Sequence, residues 1–223
     1  MLAALSLLLF LILLVLSPLL FGDIMLTSLG KLHLGPSTAL ALVVAMFLGG
    51  LIDIPLTKVR RTKDVSNNPL AIYGLADFWP EMARTSPETI IAVNVGGCLI
   101  PVGVLLYEII YLIASNPGAL ALCGAGCVAN IIVCYRLARP IKGIGIAMPG
   151  LVSPVVAALL AAFLVPDVAP PVAFIIGVTG PLVGADLLHL KQIEVAEAGV
   201  ASIGGAGTFD GIVLSGIIAA YLA

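Results

Sequence analysis

Two aspartates stand in otherwise apolar sequence near the carboxyl end of the chain, Asp186 in GVTGPLVGADLLHL and Asp210 in GGAGTFDGIVLSGIIAAYLA. An ionisable side chain inside a membrane-spanning segment costs roughly 2.5–3.5 kcal/mol on insertion scales, so each needs a partner or a task. If the two segments pack side by side and bring the carboxyls within hydrogen-bond reach, both cannot be ionised and the pair holds one proton between them. Such a dyad hydrolyses an amide with no metal, cofactor or covalent nucleophile. The ionised member takes a proton from water while its partner protonates the carbonyl oxygen, and the two titrate as a unit. His189, three residues after Asp186, is placed to bond to it or to join a metal site, although its position at the end of an apolar run fits an interfacial histidine better.

The elements that must carry these groups follow from composition. Of 223 residues, 61% are hydrophobic and only 10% charged, with a mean hydropathy of +1.22, too little charge for a water-soluble domain. The apolar runs last about 20 residues and are apolar all round, the length that crosses ~30 Å of hydrocarbon. Only helices or closed barrels satisfy backbone polar groups in lipid, and the runs lack the alternation of a barrel. The expectation is an all-α, multi-pass bundle in the cell membrane, a single integral domain over 1–223. The formal net charge of -2 says little about partners, and no basic tract suggests nucleic acid, so none is expected. Cys98, Cys123, Cys127 and Cys134 all fall in apolar runs and read as packing residues rather than disulfides. Cys123 and Cys127 have the spacing of a metal pair but no second pair beside them.

Seven spans are expected. The first, Leu2 to Phe21, reads as an uncleaved helix rather than a signal peptide. The second runs from Ser37 to Leu56 and ends on KVRRTK. Residues 57–88 form a cytoplasmic loop with a segment on the membrane surface, Tyr73, Phe78 and Trp79 at the headgroups. Ser86-Pro87-Glu88 reads as the capped start of the third span, Thr89 to Ala114. Asn116-Pro117-Gly118 is a tight turn into the fourth, Ala119 to Leu137. The fifth, Gly143 to Val165, contains Pro149 and Pro154; the sixth reaches Leu190 and is broken at Gly180-Pro181. The polar turn Lys191 to Gly199 leads to the seventh, Val200 to Leu222. With the amino terminus cytoplasmic, all ten Lys and Arg residues except Lys31 fall on the cytoplasmic side, as the positive-inside rule requires.

At about 1.5 Å per residue, Asp53, Asn94, Asn130, Asp186 and Asp210 all fall in the cytoplasmic half, which implies a water-accessible cavity open to that side. For Asn94 and Asn130 taken singly, hydrogen bonding across helices is the simpler role. Glu108 stands near the opposite interface. Gly205, Gly207 and Gly211 surround Asp210 and bare the backbone for close approach by a helix or an extended peptide. Gly180 and Gly184 make a similar bare face on the sixth span.

Gly205-Ala206-Gly207, followed by Thr208-Phe209 and then Asp210, with Asp186 at the end of the preceding span, resembles the intramembrane aspartyl proteases, the presenilin, signal-peptide-peptidase and prepilin-peptidase group. Their second catalytic aspartate follows Gly-x-Gly near the cytoplasmic start of a span. The resemblance implies Asp186 and Asp210 as the catalytic pair and a transmembrane peptide as substrate. Over most of the chain, VNVGGCLIP, GADLLHL and GGAGTFDG resemble a family of small prokaryotic membrane proteins of unassigned function, domain-of-unknown-function family 1614. That likeness implies one site containing Asn94, Asp186, His189 and Asp210, with no activity attached. Two other readings use the same carboxylates. In an ion- or proton-coupled carrier they form a cation site at proline-broken helices, although no inverted repeat is visible. In a non-catalytic assembly subunit they pair with basic groups of a partner.

Overall fold

The computed structural model describes residues 20–60, 88–141, 145–192, 200–205 and 211–223. Their apolar helices are α1 (Leu20–Gly30), α2 (Pro36–Gly49), α3 (Ile100–Ser115, entered through a π-helical turn Val95–Leu99), α4 (Pro117–Leu137), α5 (Val152–Leu164), α6 (Ala169–Thr179) and α7 (Gly211–Leu222). Three rods, Val95–Ser115, Pro117–Leu137 and Pro166–Leu190, are long and apolar enough to cross a membrane. The expected first span is corrected in one respect: the helix continues past Phe21 to Gly30, leaving 31–35 as the connection.

Helix α6 is the centre of the bundle, with every side chain from Pro171 to Val178 buried. A helix apolar on all faces has to lie among other helices, and α6 packs on α3, α4, α5 and α7. Its partner α7 is nearly as buried, and the two approach through glycine. A Cβ at Gly177 would lie 2.7 Å from the Ser215 carbonyl, and one at Gly216 would press on Val178 and Phe174. Pro181 lacks an N–H and cannot complete the next α-helical hydrogen bond. From Gly180 to Asp186 the chain therefore widens into a π-helix, with Leu187 N–H bonding to Leu182 O, and continues as a 3-10 helix over Leu187–Gln192. The break expected at Gly180-Pro181 is thus a widening, not an interruption.

The all-α expectation fails at one end of the bundle. Strands β1 (Asp53–Arg60), β2 (Glu88–Asn94) and β5 (Val200–Ile203) form a sheet in the order β1-β2-β5, antiparallel then parallel. Glu88 begins a strand and not a helix, α2 stops at Gly49, and Val200–Ile203, expected at the start of the seventh span, is a strand. Thr89, Ile90, Ile91 and Val93 supply the β-branched side chains that favour a strand, and Pro55 is tolerated because β1 lies at the sheet edge beside a bulge. A hairpin of β3 (Arg139–Ile141) and β4 (Gly145–Ala147) replaces the expected start of the fifth span. Tyr73, Phe78 and Trp79 lie outside the described residues.

Glycine at 177 is a packing requirement. Gly177→Ala is expected to lower the thermal unfolding temperature in detergent, at a cost of about 1–3 kcal/mol from overpacking against backbone. Gly124→Ala, with nothing within 4 Å of its added Cβ, should leave the temperature unchanged or raise it slightly.

Candidate functional site

Three Gly-Gly pairs meet where the sheet joins the helices. Gly49-Gly50 ends α2, Gly96-Gly97 opens the turn into α3, and Gly204-Gly205 follows β5. A side chain at Gly96 would collide with the backbone of Gly49 and Gly50, and one at Gly97 with the carbonyl of Gly204. Gly204 and Gly205 hold φ values of 88° and 89°, a left-handed region that only glycine enters without strain.

The polar groups of Asp53, Asn94 and Ser202 close this crossing. Asn94 caps the turn into α3, its Oδ1 accepting from Gly97 N–H at 2.7 Å. Its Nδ2 donates to Gly50 O at 2.9 Å and to Asp53 Oδ1 at 3.0 Å. Ser202 Oγ donates to the same Asp53 oxygen at 2.5 Å. One carboxylate thus ties all three strands, with Asp53 and Asn94 directly opposite across β1 and β2. The sequence places Asp53 and Asn94 in a polar layer; Ser202 is missed, since a serine in an apolar strand carries no mark of its own.

Asn130 belongs to a separate cluster. It is fully buried, and its Nδ2 donates to Ser153 Oγ and to Ile176 O, both at 3.0 Å. Ser153 Oγ is in turn 2.7 Å from Ser215 Oγ. The chain Asn130–Ser153–Ser215 fastens α4, α5 and α7 to the backbone of α6, the interhelical bonding expected of a membrane asparagine. The single polar layer drawn from depth alone is therefore two clusters.

Asp186 closes the π-helical segment and is partly buried. Gly180 and Gly184 form the bare face expected of them, and it receives α4: Cβ atoms there would strike Asn130 and the Ile131 carbonyl. His189 is buried within the protein. Its Nδ1 lies 3.0 Å from Gly184 O, and its ring packs on Tyr135 at 4.8 Å between centroids. Its hydrogen bond goes to helix backbone and not to Asp186. Gly211 packs beside Pro181 and Met148, at 3.9 and 3.6 Å from where its Cβ would be, so the first turn of α7 lies against the π segment. Asp210 and Gly207 lie outside the described residues, and Gly205 follows β5 at the glycine crossing. Among the described residues no group of three His, Cys, Asp or Glu side chains converges as a metal site.

The opposite end holds a pair that spacing did not join. Glu108, fully buried, accepts from His33 backbone N–H at 3.1 Å and lies 2.9 Å from His33 Nδ1. Its signal was a carboxylate in an apolar run, which demands a partner, but the partner lies 75 positions away.

A buried central rod widened at a proline, packed among apolar helices of which two more are of membrane-spanning length, marks a helical membrane protein. The family model described as "Protein of unknown function (DUF1614)" matches residues 47–222, and the chain belongs to that family. No curated protein and no solved structure gives a match.

The shared carboxylate makes a measurable prediction. In a double-mutant cycle of Asp53→Ala and Ser202→Ala, chemical unfolding should show a coupling of about 1–2 kcal/mol; additive losses would mean that the bond is energetically empty.

Proposed function

We propose that the chain is an intramembrane aspartyl-protease-like hydrolase, with Asp186 and Asp210 as a proton-sharing pair at the sheet end of the bundle. The observation that carries this reading is the packing of Gly211 on Pro181. Asp210 is bonded to Gly211, so their Cα atoms are ~3.8 Å apart. Asp186 is one i→i+5 turn beyond Pro181, in a π-helical segment of the kind found often at functional sites. The antiparallel packing of α6 on α7 supports this reading, since the residue that follows Asp210 in sequence meets the proline that opens the segment ending at Asp186.

The chemistry follows from the pair. The ionised carboxylate takes a proton from water, the water oxygen attacks the peptide carbonyl, and the protonated partner gives its proton to the carbonyl oxygen; the adduct then collapses, the C–N bond breaks, the first carboxyl gives its proton to the leaving amine, and its partner takes one back from the adduct's hydroxyl. A transmembrane peptide is the substrate class, because the site lies at the end of apolar helices. In this reading Asp53, Asn94 and Ser202 are positioning residues, because they fix the strand that ends at Gly204-Gly205, five residues before Asp210 in sequence. Asn130 and His189 support the helices around Asp186. The sheet end faces the cytoplasm of a cell membrane: Lys58, Arg136 and Arg139 lie at that end, whereas Lys31 lies at the other, where its Nζ donates to Tyr221 O at 2.6 Å.

A carrier is the second reading, favoured by the π-widened entries to α3 and beyond α6, where altered backbone bonding beside a carboxylate suits a cation site. Reconstituted protein separates the two. With a single-span reporter peptide, Asp186→Asn and Asp210→Asn should each reduce cleavage by about 10³-fold or more at unchanged unfolding temperature. Full cleavage by either variant would refute the dyad. Aspartate-dependent ion uptake without cleavage would establish the carrier.

A further inference from the structure

The end of the bundle away from the sheet carries a cleft between α2 and α3 of about 460 Å³, within the 300–1,000 Å³ common for ligand pockets. Its walls divide along the helix axes. Leu42, Ile100 and Gly103 line the deep part, and His33, Thr38 and Tyr107 line the part nearest the helix ends. From Ile100 to Tyr107 the lining covers about 10 Å of helix rise. Leu40, Leu106 and Ile110, on the same two helices, are more than half exposed, so the cleft is continuous with an apolar outer surface of the kind that faces lipid.

The polar end is fixed from within. Buried Glu108 holds His33 through both backbone N–H and Nδ1, Tyr111 stacks on the imidazole at 3.5 Å, and Tyr107 Oη donates to His33 O at 2.7 Å. With Nδ1 donating to the carboxylate, Nε2 is left as an acceptor for an N–H or O–H of another group, and Thr38 lines the same cleft. An apolar channel that ends in fixed hydrogen-bonding groups matches an amphiphile with an acyl chain and a polar head that both donates and accepts hydrogen bonds.

We propose that this cleft is a binding site for one bilayer phospholipid, its acyl chain along Gly103 and Leu42, an ester or phosphate oxygen accepting from the Thr38 hydroxyl, and a headgroup N–H or O–H donating to His33 Nε2. The site is separate from the aspartates and stands whether or not they hydrolyse peptides. Gly103 provides the test, because a Cβ there meets nothing within 4 Å and a larger side chain would occupy the cleft without striking the fold. Protein from nanodiscs of phosphatidylglycerol and phosphatidylethanolamine is released in the mass spectrometer and its bound phospholipid counted. Wild type and Gly124→Leu, the same change at another exposed glycine with open space, should each retain one tightly held phospholipid. Gly103→Leu should retain at least tenfold less, at an unfolding temperature close to wild type. Equal retention by Gly103→Leu, or none by wild type, would overturn the proposal. So would loss of a dimer in place of lipid in Gly103→Leu, which would make a second copy of this chain the occupant.

Discussion

The approach of α6 to α7 through bare glycine is the contact on which the structure depends. Lipid tails are as apolar as leucine, so helices in a membrane gain little from hydrophobic burial and hold together by close packing and interhelical hydrogen bonds. Gly177 and Gly216 let each helix reach the other's backbone or large side chains. Around that contact the Asn130–Ser153–Ser215 chain adds polar fastening across α4, α5 and α7. Pro181 lies one α-helical turn beyond Gly177, so the widening it forces occurs where α7 begins.

The sheet performs the complementary task outside the bundle. β1 takes the chain out of α2, β2 leads it into α3 and β5 ends at Gly204-Gly205, and three Gly-Gly pairs allow the backbones to cross at one point. A side chain of any size there would push the junctions apart. Asp53 closes the crossing because a carboxylate accepts several hydrogen bonds at once, here from Asn94 and Ser202. These residues are distant from Asp186 in sequence, yet they and the start of α7 lie on one side of the molecule.

Much of this was readable from apolar run length and punctuation. The rods α4 and α6, the turn at Asn116, whose side chain accepts from Ala119 N–H, and the irregularity at Pro181 follow from residue types alone. The strands did not, because a short apolar run such as Thr89–Val93 suits a buried strand as well as a helix. The long spacing between β1, β2 and β5 also hid their pairing. Depth assigned Asp53, Asn94 and Asn130 to one half of the bundle but not to their partners, since distance along a helix says nothing about which neighbour a side chain faces. The His33–Glu108 pair depends on the turn between α1 and α2 reaching the last turns of α3, a tertiary fact without local signature.

The central claim is that the carboxyls of Asp186 and Asp210 share a proton. Infrared difference spectroscopy of the carboxyl stretch, comparing wild type with Asp186→Asn and Asp210→Asn across a pH titration, reads that proton directly. The account predicts one protonated carboxyl persisting at neutral pH in wild type and vanishing in both variants, the remaining aspartate then ionising near the ordinary carboxylate range. Two aspartates that each titrate in that range in wild type, unaffected by removal of the other, would contradict it.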